Sequence, residues 1–152
     1  MKAVIQRVKR ARVLVDGNEI GATEQGLLVL LGVMDGDTAE TARLLAGKTA
    51  RLRIFEDEQG KMNKSVNDVG GGVLTVSQFT LCADTKKGNR PSFTPSAKPD
   101  EAKALYELYS ACLAEEGVAH TANGEFGADM QVELVNDGPV TIILDTDVWE
   151  KK

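Results

Sequence analysis

From Lys2 to Lys9 and again from Ala11 to Val15, β-branched apolar residues partly alternate with polar ones. A period of two is the signature of a half-buried strand. Asp16-Gly17-Asn18 follows, and these residues tolerate positive φ, so the pattern predicts an N-terminal strand leading into a hairpin. Gly26 to Met34 is an almost unbroken apolar run, too short for an ordinary helix once Gly32 is counted, and predicts a central strand buried on both faces. Asp37 as cap, with Glu40 at the third helical position, starts a helix that carries Ala42, Leu45, Ala46, Thr49 and Leu52 on one stripe to about Arg51.

Ile54-Phe55 leads into a polar turn at residues 57–61, and Gly70-Gly71-Gly72 precedes a β-rich run from Val73 to Phe79 that should end near Leu81. Residues 83–95 have the composition of an exposed loop. Pro99, Asp100 and Glu101 look like a helical first turn, after which Ala102, Leu105, Tyr106, Tyr109, Cys112 and Leu113 share a face until Gly117. Two closing strands, Met130 to Val135 and Val140 to Asp145, should flank a turn at Asn136-Asp137-Gly138-Pro139. The expectation is an α/β fold, one domain over 1–152, with a mixed sheet and two main helices.

Composition narrows the function classes. At 152 residues and 42% hydrophobic the chain can bury a sizeable core, and a net charge of −5 argues against indiscriminate coating of nucleic acid while leaving recognition of one RNA end open. Cys82 and Cys112 form no CxxC pair and sit among apolar residues, which suits reduced thiols and a cytoplasmic location. Charged residues interrupt the N-terminus, and no run is long enough to span a membrane, so neither secretion nor membrane insertion is expected.

The single histidine, His120, has no metal-ligand spacing around it and reads as a surface or structural residue; no metal and no cofactor are expected. GxSxG, Cys/His and P-loop signatures are missing. Two segments stand out. Ser77-Gln78-Phe79-Thr80-Leu81 crowds two hydroxyls and an amide at the end of an apolar strand, either as a site or merely to satisfy turn backbone groups. Gly138-Pro139 permits a cis bond and close backbone approach, although a plain turn is the ordinary reading of this segment.

MKAVIQRV at the start, SQFTL at 77–81, KKGNRPSF at 86–93, FGADM at 126–130 and NDGPVT at 136–141 together resemble the D-aminoacyl-tRNA deacylase family, in order over nearly the whole chain. The resemblance implies barrel-like layers in a homodimer that hydrolyses the ester between a D-amino acid and the 3′-terminal adenosine of tRNA, and that also clears glycine from alanine tRNA. It implies that a cis Gly138-Pro139 enters the partner's pocket as a wall that rejects L-amino acids by clash. Discrimination of ~10⁴ needs about 5.5 kcal/mol, which a rigid wall supplies more readily than an added methylene contact.

On the same resemblance Ser77, Gln78, Phe79 and Thr80 form the catalytic segment. Amides near Gln78 and Phe79 polarise the ester carbonyl, Thr80 positions rather than attacks, and the 2′-hydroxyl of the RNA assists water. Leu81 and Arg7 join Gly138 and Pro139 in substrate binding, Arg7 by bracing the Gly-Pro segment or else as an ordinary strand residue. Lys86, Lys87 and Arg90 are tRNA contacts or a solvated basic loop. The rival classes are a non-catalytic dimeric RNA-binding module and a Thr80-dependent esterase of small molecules.

Overall fold

The computed structural model describes residues 1–150. Strands β1 (Lys2–Val15), β2 (Asn18–Thr23) and β3 (Gly26–Gly32) precede helix α1 (Ala39–Arg51), and a small hairpin follows from β4 (Phe55–Glu56) and β5 (Met62–Lys64). Next come β6 (Gly72–Ser77), a short 3-10 turn at Phe79–Cys82, α2 (Pro99–Glu115), β7 (His120–Asn123), β8 (Gln131–Asp145) and α3 (Thr146–Glu150). The main sheet runs β2-β1-β3-β6-β7, with β8 on β1, and is mixed because β3, β6 and β7 are parallel.

The N-terminal strand and the first arm of the hairpin are one 14-residue strand. β1 pairs β3 along its first half, β2 along its second, and β8 along both. A register shift between Val8 and Arg10 reverses the alternation. Ala3 and Ile5 therefore pack beneath the helices with Leu27, Val29, Leu31, Leu45 and Tyr109, whereas Val8, Ala11 and Val13 face a second core with Leu28, Leu74 and Val76. Val8 reaches the second core by ordinary alternation, as Leu28 does from β3, and the bulge lets the odd-numbered Ala11 and Val13 join it on the same face.

The two expected closing strands are likewise one, since β8 runs through residues 136–139 without reversing. Asn136-Asp137-Gly138-Pro139 is not a turn but a bulge: Thr141 pairs Gln6 and Asn136 pairs Val8, so the four residues between them bow out opposite Arg7. Other expectations also shift. The strand through Val73 stops at Ser77, the segment after Gly117 contributes β7, and a third, short helix closes the chain. Thr38, not Asp37, caps α1, in a reciprocal pair with Thr41. Asp37 instead holds the Met1 ammonium at 3.0 Å and the Met34 amide at 2.7 Å.

The sheet curls almost into a barrel. The His120 ring Nε2 donates to the Ala22 carbonyl at 2.8 Å, joining β7 to β2 and giving the lone histidine a structural contact. Gly21 lies so close to β7 that a Cβ there would stand 2.4 Å from the Asn123 carbonyl oxygen. Gly21→Ala should therefore force this seam apart and cost about 1 to 3 kcal/mol, measured as a lower urea midpoint at unchanged slope; an unaltered midpoint would show that β2 and β7 are not held this closely.

Candidate functional site

At the carboxyl end of the parallel strands β3 and β6, an open cleft of about 710 Å3 lies between the sheet and the start of α2. Its floor is Leu31, Val76, Ser77 and Tyr106, its walls include Phe93, Phe126, Met130 and Val132, and Gln78 and Phe79 form one rim. Strand carboxyl ends are a common place for ligands in α/β sheets because the chain must turn away there, leaving backbone groups unpaired.

The turn at Phe79–Cys82 is built from that necessity. The Gln78 amide donates to the Leu31 carbonyl at 2.8 Å, which anchors the turn to β3. This N–H is therefore not free to polarise an ester, correcting the expectation for Gln78. The amides of Phe79 and Thr80 open the 3-10 turn and have no backbone partner among the described residues. Gln78 Nε2 donates to Thr80 Oγ1 at 2.6 Å. Phe79 is 57% exposed and meets Phe93 edge-on, with ring centroids 5.1 Å apart.

Among the described residues, none of those lining the cleft is Asp, Glu, Cys or His; Lys98 and Tyr106 are the ionisable ones. Tyr106 donates to the Thr75 carbonyl at 2.8 Å, and burial pushes its phenol up to about 12. It is a neutral hydrogen-bonded support near pH 7. Elsewhere among the described residues, no three His, Cys, Asp or Glu side chains converge as metal ligands.

The second segment is held from inside. Arg7 is 7% exposed, yet its guanidinium donates to the Asp137 carbonyl at 2.8 Å and the Ile54 carbonyl at 2.7 Å. Asn136 Oδ1 accepts the Val140 amide at 2.7 Å, and its Nδ2 donates to the Val140 carbonyl and the Thr141 hydroxyl. The Gly138-Pro139 bond is cis, Gly138 has φ +150°, and both residues are exposed.

The two segments do not share a pocket within one chain. The cleft takes in Ser77, Gln78 and Phe79 but not Thr80, Leu81, Arg7, Gly138 or Pro139. Lys86, Lys87 and Arg90 lie on the exposed loop, pinned at its base by paired backbone bonds between Asp84 and Ser92, and do not line the cleft. Sequence reasoning gave no site role to Phe93, Lys98, Tyr106, Phe126 or Met130. The strings KKGNRPSF, ending at Phe93, and FGADM, from Phe126 to Met130, were the available signal, since both belong to the family resemblance.

This is a small α/β protein that presents an open, aromatic-walled cleft beside two free backbone amides, with a braced Gly-Pro bulge outside that cleft. The profile of the family described as D-Tyr-tRNA(Tyr) deacylase matches residues 4–145, and the chain belongs to that family. It is 59% identical over 145 residues to the D-aminoacyl-tRNA deacylase of Deinococcus radiodurans, covering 95% of this chain and 99% of that protein. Against the protein of the same name from Anaeromyxobacter dehalogenans it is 61% identical over 146 residues, covering 96% and 97%. A solved structure named c-Myc DNA Unwinding Element Binding Protein superposes with a TM-score of 0.88 at 43% identity, covering 95% of this chain and 98% of that one.

The buried phenol gives a pH prediction. In the unfolded chain a tyrosine ionises near 10 and in the folded protein Tyr106 ionises near 12, so above pH 10 the unfolded state binds fewer protons and stability falls. Tyr106→Phe should flatten this loss between pH 10 and 12, read from urea midpoints against pH; an identical alkaline profile in both proteins would contradict it.

Proposed function

We propose that this chain hydrolyses the ester between a D-amino acid and the 3′-terminal adenosine of tRNA, and that the 2′-hydroxyl of the RNA assists where the cleft supplies no general base. Family membership and the names of the two bacterial relatives support D-aminoacyl-tRNA deacylase activity. The carrying observation for the mechanism is the pairing of two unpartnered amides, of Phe79 and Thr80, with a cleft lined by no carboxylate or imidazole among the described residues. The terminal adenosine lies among Phe79, Phe93 and Phe126, and the ester carbonyl points its oxygen at the two amides. Water adds to the carbonyl carbon with the 2′-hydroxyl assisting. The 3′-oxygen then leaves as a hydroxyl on the tRNA, and the amino acid departs as its carboxylate.

Thr80 positions the ester in this reading. Its hydroxyl oxygen accepts from Gln78, and no base stands ready to take its proton. Leu81 and Ser77 shape the turn and the floor. The wall against L-amino acids is Gly138-Pro139 of the partner subunit, braced by Arg7. Support for the dimer comes from an apolar row across β3, β1 and β8, Leu30, Val4 and Ile143, in which Ile143 is 72% exposed. Lys86, Lys87 and Arg90 steer the RNA. A wall that works by clash passes glycine, so glycyl-tRNA made on alanine tRNA is a second substrate. Free, buried Cys82 and Cys112 favour a reducing cytoplasmic setting.

The solved relative named for a DNA element favours one rival, a nucleic-acid-binding module without catalysis. Release of D-tyrosine from D-tyrosyl-tRNA separates the two. On the proposed mechanism a tRNA ending in 2′-deoxyadenosine should be cleaved at least about a hundredfold more slowly, while Thr80→Ala loses far less. Normal cleavage of the deoxy substrate together with a dead Thr80→Ala variant would replace RNA assistance with a protein nucleophile. L-tyrosyl-tRNA should resist cleavage until Pro139 is replaced by Ala, and equal rates on both enantiomers in the unsubstituted protein would remove the wall from the mechanism.

A further inference from the structure

Lys98 is the one formally charged residue, among those described, that lines the cleft. It is exposed and makes no side-chain ion pair among the described residues. The other basic residues considered for RNA contact, Lys86, Lys87 and Arg90, stand on the loop outside it. Lys98 is also fixed in place at its backbone. Its carbonyl accepts the Ala102 amide at 2.8 Å, Pro99 follows it, and the preceding Ala97 amide is tied to the Val33 carbonyl at 3.0 Å. The stem of the lysine therefore starts from a backbone-anchored point in the cleft lining.

A cleft whose remaining lining is apolar or neutral suits a nucleoside, and the group such a nucleoside must bring with it in an RNA chain is its 5′-phosphodiester. That anion sits at the mouth of any cleft that swallows only the terminal base and ribose. We infer that Lys98 is a positioning residue that binds the phosphodiester joining the last two nucleotides, holding the terminal adenosine at the depth where its ester meets the Phe79 and Thr80 amides. This inference rests on the deacylase reading and adds to it a phosphate contact at the cleft itself. Lysine suits the task as a mobile point charge: it follows a phosphate without demanding one orientation.

The test compares Lys98→Gln, Lys98→Arg and the unsubstituted protein on two substrates, D-tyrosyl-tRNA and 3′-O-D-tyrosyl-adenosine, which has no phosphate. On the tRNA, Lys98→Gln should raise KM several-fold with kcat within about twofold, and should flatten the fall of log(kcat/KM) with log salt by about 0.7, the increment for one phosphate on a single strand. Lys98→Arg should restore both. On the phosphate-free nucleoside the three proteins should have the same KM. An unchanged KM and salt slope on the tRNA overturns the inference while leaving the deacylase reading intact, and so does an equal KM penalty on both substrates. If the unsubstituted protein releases no D-tyrosine from tRNA, the deacylase reading falls and this one with it.

Discussion

A guanidinium buried between two carbonyls organises this molecule. Taking Arg7 out of water is costly, and the charge is offset by hydrogen bonds to the Asp137 and Ile54 carbonyls, with the Asp137 carboxylate 4.0 Å away. Only a planar fork reaches two acceptors that lie on different segments of the chain. The arrangement exists because β8 inserts four residues opposite Arg7 and so turns the Asp137 carbonyl inward. Gly138 completes it: a Cβ there would stand 2.8 Å from the Val140 side chain and 3.3 Å from Arg7, and its φ is one that side chains avoid. One buried cation thus fixes the bulge, and the bulge decides which surface carries the Gly-Pro pair.

The cleft follows a different physical logic. It offers aromatic faces, and the turn beside it adds two backbone donors and a threonine hydroxyl already engaged by Gln78, with the nearby phenol neutral. Such a set can bind a planar base and stabilise negative charge on an oxygen, but it moves no protons near neutrality. In the proposed mechanism the proton acceptor therefore comes from the substrate. That demand links the cleft to RNA more firmly than the net charge of the chain does, which is unfavourable to polyanions.

Most of the fold could be read from residue patterns because the signals were local. The stripe through Ala42, Leu45, Ala46 and Thr49 and the stripe through Tyr106, Tyr109 and Leu113 both mark buried helix faces, and the apolar run from Gly26 is a central strand covered on both sides. What local pattern could not carry was pairing at long range. Asn-Asp-Gly-Pro has the chemistry of a reverse turn, and only its partner strand makes it a bulge instead. Likewise Asp37 is a good cap in isolation, but the Met1 ammonium claims its carboxylate. For the candidate site, Gly138 and Pro139 drew notice only through the ordered family strings, since composition alone gives a turn. The division of work among Gln78, Phe79 and Thr80 did not, because it depends on which amide the Leu31 carbonyl takes.

The pairing of β1 with β8 also sets an order of events during synthesis. β1 spans Lys2–Val15 and its ladder partner β8 spans Gln131–Asp145, so an emerging chain carries one flank of β1 uncovered until β8 has been made. β3 and β2 can dock on β1 early, since they follow within a few residues, but Arg7 has no Asp137 carbonyl to meet until β8 emerges. Assembly of the site therefore coincides with completion of the sheet. A nascent chain stalled short of β8 would present an unpaired 14-residue edge, the kind of surface that recruits chaperones or other strands.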